Sequence, residues 1–142
     1  MTESVRIFVP GVPVPKGRPR FGRSKRGRPV VFTPPKTRAY EDTIRLEATL
    51  AMKGRKPFTG PVKLRLTAWF PIPKSWPVAK RRALRDGFIK HTGKPDLDNI
   101  VKMADALNGI AVEDDSQIFA IDAAKYYSEI GCGGLLISVV PA

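Results

Sequence analysis

Carboxylates are concentrated in one stretch of an otherwise strongly basic chain. Seven of the thirteen acidic residues lie between Asp96 and Asp122, although the 142-residue chain carries a formal net charge of +12. Gathered carboxylates repel one another unless a cation neutralises them, and oxygen-rich clusters suit Mg²⁺ or Mn²⁺. Residues 94–117 are therefore a candidate metal-dependent catalytic core.

The first part of this stretch has the pattern of a helix. Residues 96–99 (Asp-Leu-Asp-Asn) are typical of a helix start, because Asp and Asn side chains cap free backbone N–H groups. Apolar residues then recur at helical spacing until Gly109, which suits the left-handed conformation after a helix. Asp98, Lys102 and Asp105 share the polar face of this predicted helix.

The segment that follows can return further carboxylates to the helix start. About ten helical residues advance the chain by roughly 15 Å, and six extended steps can bring it back by about 20 Å. Asp115 is therefore expected beside Asp96 and Asp98. Asp114 and Glu113 are alternatives at this position.

Three motifs occur here in order: Asp96-x-Asp98-Asn99-x-x-Lys102, Asp105-Ala106-Leu107 and Asp114-Asp115-Ser116-Gln117. Together with the upstream segments 11–21 and 33–41 they span around half the chain. This combination resembles the RusA-type crossover-junction endodeoxyribonucleases, a family of Holliday-junction resolvases of bacteria and their phages.

The resemblance implies roles for individual residues. Asp96, Asp98 and Asp115 would be the metal-binding catalytic carboxylates, and Lys102 the catalytic lysine. Asp114 and Asn99 are secondary candidates. A four-way junction needs two symmetric nicks, so the resemblance also implies a C2 homodimer acting on branched DNA.

A basic segment, residues 11–36, contains eight cationic residues and no acid. Its Gly and Pro residues predict a loop or a loose hairpin. A field of this sign favours polyanions, most simply nucleic acid, and Phe21 or Phe32 would be available to stack on an exposed base. The alternative is a solvated basic arm. The candidate DNA-binding residues are Lys16, Arg18, Arg20, Arg23, Lys25, Arg26 and Arg28.

The remaining patterns predict an α+β fold. Strands are expected at 5–9, 62–68, 118–127 and 135–140, with helices at 38–52, at 96–107 and after Pro77. The order β-α-β-α-α-β-β predicts one domain over 1–142, with a small mixed sheet and packed helices. Tyr40, Ile44, Ala48 and Ala51 form the predicted core stripe of the 38–52 helix. Leu46 and Leu50 form a second stripe, expected as additional core, with a subunit contact as the alternative. For the basic helix after Pro77, a solvated face and a DNA contact both stay open.

Several other classes of protein are excluded by composition. Cys132 is the only cysteine and His91 the only histidine, so neither an internal disulfide nor a zinc site is expected. No signal-like or membrane-spanning apolar run occurs. We expect a cytoplasmic protein, encoded by a bacterium or a phage.

The function expected from these patterns is Mg²⁺-dependent resolution of four-way DNA junctions by paired phosphodiester cleavage, in recombination or repair. Two alternatives stay open. One is a non-catalytic basic nucleic-acid-binding module, in which the acids are caps and turns. The other is a metal-dependent nuclease acting on another branched DNA or on RNA.

Overall fold

The structure, a computed structural model, describes residues 4–17 and 20–142. The predicted order of elements is confirmed, with one addition: the basic segment contains two short strands. The strands are β1 (Val5–Pro10), β2 (Arg20–Arg23), β3 (Pro29–Phe32), β4 (Val62–Pro71), β5 (Ile118–Ser128) and β6 (Gly134–Pro141). The helices are α1 (Pro35–Met52), α2 (Val78–Arg85) and α3 (Leu97–Val101), with 3₁₀ segments at Lys102–Leu107 and Asp115–Gln117.

Four strands form a mixed sheet in the order β1-β6-β4-β5. β6 pairs antiparallel with both β1 and β4, whereas β4 and β5 run parallel. Alternate residues of β4 from Val62 to Phe70 are buried, because successive side chains of a strand point to opposite faces. The predicted α+β fold with a small mixed sheet is confirmed.

The core lies between one face of this sheet and the helices. α1 contributes Tyr40, Ile44 and Ala48, as expected, and its stripe ends on Met52. The expectation that Leu46 and Leu50 add to the core is wrong, since these side chains are 58% and 62% exposed. They lie on the side of α1 that faces away from the sheet.

The acidic segment is not one continuous α-helix as expected. It is α-helical from Leu97 to Val101 and then a 3₁₀ helix from Lys102 to Leu107. Side chains three residues apart eclipse one another in a 3₁₀ helix. Two ridges are therefore buried and the third is exposed, and the third ridge holds Lys102 and Asp105. The buried ridges are Met103 with Ala106 and Ala104 with Leu107.

The basic helix α2 has no buried residue. It is attached through Trp76, whose ring lies 4.7 Å from the ring of Tyr127 and 4.1 Å from Lys80 Nζ. Within the described ranges, no helix has the length and apolar character needed to span a membrane.

Candidate functional site

Asp96 stands at the position of a helix cap but does not act as one. Its backbone is extended at the start of α3, yet its side chain makes no capping hydrogen bond. The carboxylate instead pairs with Lys94 Nζ at 3.0 Å, and both side chains are largely exposed. The expectation that Asp96 caps the helix is wrong, and its oxygens are available to a ligand.

Asp98, Asn99 and Lys102 form a small polar group on the exposed side of the segment. Lys102 Nζ lies 3.8 Å from an Asp98 carboxylate oxygen and 3.5 Å from Asn99 Oδ1. Both distances are long for a hydrogen bond, and an exposed pair of this kind contributes only about 0.3–0.5 kcal/mol. The Asp98 carboxylate and the Lys102 ammonium are thus close to each other but form only a weak ion pair.

A separate turn holds Asp115. The Asp114 carboxylate accepts a hydrogen bond from the Ser116 N–H at 3.1 Å, and Gln117 Oε1 accepts one from the Asp114 N–H at 2.9 Å. This reciprocal capping box satisfies free donors at the start of the 3₁₀ turn. The Ser116 hydrogen bonds lower the pKa of Asp114, so this carboxylate stays ionised as a cap.

Gln117 also ties this turn to the rest of the fold. Its Nε2 donates to the carbonyl oxygens of Phe58 and Gly60, at 2.7 and 2.8 Å. One side chain therefore fixes the turn both to its own backbone and to the loop before β4. Asp115, which is exposed, is held by this turn.

The return of the chain towards Asp96 differs from the extended path that was expected. The N–H groups of Ile110 and Ala111 both donate to Leu107 O at 3.0 Å, and Gly109 has φ +82°. The chain therefore forms a tight turn directly after the 3₁₀ helix, in place of the expected extended segment. The Asp115–Gln117 turn packs against the 3₁₀ helix Lys102–Leu107, while α3 packs against β5.

Within residues 4–17 and 20–142, no three His, Cys, Asp or Glu side chains stand close enough to form a ligand group. The convergence of Asp96, Asp98 and Asp115 on one ion therefore stays a prediction. The chemistry of the donors does fit a hard cation, because all three residues expose carboxylates and none of the three is used as a helix cap.

A lysine that sequence analysis did not single out positions the loop before Asp96. Lys125 of β5 donates through Nζ to the carbonyl oxygens of Gly93 and Pro95, both at 2.9 Å. It stands beside Ala68, a core-facing residue of β4, so its ammonium comes from the side of the sheet that builds the core. The sequence did contain a signal for this role, because Lys125 occupies a position of the strand where the alternating pattern calls for an apolar residue.

His91 also attaches this loop to the sheet. Its ring lies between those of Phe70 and Tyr127, 4.5 Å from each, and only 9% of the residue is exposed. Burial, and secondarily the charge of Lys125, lower the pKa of His91 below its ordinary value of 6.5. The neutral imidazole therefore packs as an aromatic ring between two others.

The basic segment folds as a two-stranded ribbon, which we call the basic ribbon (20–32). β2 and β3 pair antiparallel, and a turn at 24–28 is closed by hydrogen bonds between Ser24 and Arg28. Phe21 is 85% exposed, whereas Phe32 is 38% exposed and covers Gly22. Phe21 is therefore the more available of the two rings for stacking.

The predicted DNA-binding cations divide into groups. Those of the turn and β2 are exposed and make no ion pair in the described part of the chain: Arg23, Lys25, Arg26 and Arg28. Arg18 lies outside the described residues, and of Arg20 only the backbone is described. Lys16 differs from these: the segment itself contains no acid, but Lys16 Nζ lies 3.0 Å from Asp105 and 3.8 Å from Glu41, which come from other parts of the chain.

Comparison with known proteins identifies the family of this chain. The family model described as Endodeoxyribonuclease RusA matches residues 10–139. A relative from Bacillus subtilis (strain 168), named Uncharacterized protein YqaN, is 34% identical over 130 residues, which are 89% of this chain and 90% of that protein. Because the match includes both the basic ribbon and the acidic segment, the chain belongs to the RusA endodeoxyribonuclease family.

Proposed function

We propose that this protein is a Mg²⁺-dependent, structure-selective DNA endonuclease that resolves four-way junctions. One observation carries the proposal: the root of the basic ribbon, by which we mean residues 16–17, is bound directly to the acidic segment. The Lys16 N–H donates to Asn99 O at 2.9 Å, one residue after Asp98. A polyanion held by the ribbon would therefore lie beside exposed carboxylates.

Asp96, Asp98 and Asp115 are the residues that would hold the ion, with Mn²⁺ as a substitute for Mg²⁺. When bound, such an ion activates water for in-line attack on a phosphodiester and offsets the charge that develops on the leaving oxygen. The compact turn after Gly109 holds Asp115 near the 3₁₀ helix Lys102–Leu107, which directly follows α3.

Lys102 would act as a fixed positive charge beside the attacked phosphate. Its ammonium is exposed and close to Asp98, and an ammonium in this place stabilises charge that increases in the transition state. Asn99 would limit the positions of that ammonium through its side-chain oxygen. Asp114 is assigned to the cap that holds Asp115, not to the metal.

The cations of the basic ribbon, Arg23, Lys25, Arg26 and Arg28, would contact phosphates, and Phe21 would stack at the branch point. Phosphate contacts supply affinity without sequence information, whereas an exposed aromatic ring can use the unpaired bases of a branch. Paired nicks require two active sites, which supports a C2 homodimer.

The test uses purified protein, a labelled four-way junction, and Asp98→Asn and Asp115→Asn variants. Asp122→Asn is the matched control, because Asp122 pairs in register with Arg65 on an exposed part of the sheet. Wild type and control should cut in Mg²⁺ and not in EDTA. The two site variants should bind the junction with unchanged or higher affinity and cut at least about a hundredfold more slowly.

Three other outcomes would redirect the proposal. Binding without cleavage by the wild type in Mg²⁺ or Mn²⁺ would favour the non-catalytic module. Faster cleavage of flaps or RNA than of junctions, in direct competition, would favour another nuclease substrate. If Asp98→Asn cuts as fast as the control, its assignment as a metal ligand is wrong.

A further inference from the structure

Three parts of the fold meet at Lys16. Its backbone N–H donates to Asn99 O in the acidic segment, and its ammonium pairs with Asp105 at 3.0 Å on the exposed ridge of the 3₁₀ helix. The same ammonium lies 3.8 Å from Glu41 of α1. The residue is at the root of the basic ribbon, four positions before β2 begins at Arg20.

The charges around Lys16 argue against a role as a phosphate contact. Glu41 has only 12% of its side chain exposed, and its other cationic partner is Arg45 at 3.1 Å. A carboxylate with little access to water requires nearby positive charge. A phosphate that bound Lys16 would have to displace Asp105 and approach two carboxylates, a repulsion that Arg23 and Lys25 do not impose.

The ribbon root is also tightly packed against the start of α1. The Gly17 N–H donates to Thr37 Oγ1 at 3.0 Å, and Thr37 is buried. A Cβ on Gly17 would be 3.0 Å from both Pro34 Cγ and Thr37 Oγ1, so a larger residue does not fit without a shift. The chain before the ribbon and the chain after it are therefore joined at one point, between Gly17 and Thr37.

We propose that Lys16 is a positioning residue, which sets the placement of the basic ribbon relative to Asp98 and Lys102 through its pair with Asp105. It would hold the ribbon rather than the DNA. This inference rests on the proposed function in one respect, that the ribbon grips nucleic acid next to the cleavage site.

The first experiment separates positioning from phosphate binding by the salt dependence of affinity. Lys16→Gln, Asp105→Asn, the double variant and Arg23→Gln are compared for junction binding in EDTA across salt concentrations, and for cleavage in Mg²⁺ at saturating junction. Removing a cation that neutralises one phosphate reduces the magnitude of the slope of log K against log[salt] by about 0.9. Arg23→Gln should show this change, whereas Lys16→Gln and Asp105→Asn should leave the slope unchanged.

Cleavage should show that Lys16 and Asp105 act together. Each single variant should cut about tenfold more slowly than wild type, because small misplacements of a bound substrate are costly. The double variant should be no slower than the slower single, as expected of two residues that share one function. If Lys16→Gln flattens the salt slope and Asp105→Asn tightens binding, Lys16 contacts phosphate and the proposal is wrong.

The second experiment needs no activity and so distinguishes this inference from the proposed function. Nitroxide labels on Cys132, which is exposed, and on Arg26→Cys report the distance between the ribbon turn and the sheet, with singly labelled samples to remove distances between subunits. Lys16→Gln and Asp105→Asn should broaden or shift this distance, and Arg23→Gln should not. An unchanged distance in both variants would overturn the positioning role even if junction cleavage is confirmed.

Discussion

Replacing Gln117 should separate the stability of the Asp115 turn from that of the fold as a whole. Gln117→Met keeps the length of the side chain but removes three hydrogen bonds, to the Asp114 N–H and to the carbonyl oxygens of Phe58 and Gly60. Each such bond contributes about 0.5–1.5 kcal/mol net. Gly60 O is exposed and will regain water, so we expect a total loss of about 2 kcal/mol.

Gln117→Glu provides a sharper comparison. A carboxylate retains the acceptor for the Asp114 N–H but places negative charge against the two carbonyl oxygens that now receive the Nε2 donor. Gln117→Glu should therefore lose at least as much stability as Gln117→Met. Asp114→Asn is the control, since Asn caps about as well as Asp and should leave stability close to that of the wild type.

Urea unfolding at pH 7 gives the free energies, and a Mg²⁺ titration of junction cleavage gives the effect on the site. Both Gln117 variants should need more Mg²⁺ for half-maximal rate, because a loose turn must be ordered before Asp115 can bind. A loss below about 0.5 kcal/mol in Gln117→Met would mean that water replaces the bridge fully. The reasoning from its short hydrogen bonds would then be refuted.

Three further outcomes are expected. The pKa of His91 is lower in the folded protein than in the unfolded chain, so the unfolded chain binds a proton at a higher pH. The free energy of unfolding should therefore fall as pH drops below about 6.5. His91→Phe should make this fall smaller in urea unfolding measured from about pH 7.5 to 5. Lys102→Ala should lower the single-turnover cleavage rate far more than junction affinity, and an equal loss in both would make Lys102 an ordinary phosphate contact. Replacing Arg23, Arg26 and Arg28 together by Ala should flatten the salt slope of binding by up to about 2.7, and an unchanged slope would move the DNA interface to α2.

The sheet and α1 could be predicted because their burial follows simple periods. The alternation in 62–68 and the spacing of Tyr40, Ile44 and Ala48 each describe one buried face, and local pattern is enough to find such faces. Leu46 and Leu50 have equally good helical spacing. Only the position of the sheet shows that their side of α1 is left uncovered.

For the acidic segment, the sequence indicated the candidate residues but not the conformation of the backbone that carries them. The 3₁₀ helix buries Met103 and Ala106 and packs against α1, and a contact between segments so far apart in the chain is not contained in the local sequence. The capping box was readable, since Asp114 and Gln117 have the required spacing. The bridge from Gln117 to residues 58–60 and the contacts of Lys16 and Lys125 were not, because they join positions far apart in the chain.

The place of β6 in the sheet has a consequence for synthesis. Of the strands in the described ranges, β6 is the last to leave the ribosome, yet it lies between β1 and β4 and is the only one of them paired with β1. While a nascent chain lacks residues 134–141, β1 has no neighbouring strand and half of the sheet cannot form. β4 and β5 can pair without β6, but β1, on which α1 packs, joins the sheet only after translation has passed both the basic ribbon and the acidic segment. An incomplete chain would therefore carry the cationic and acidic residues before the sheet beneath them is whole.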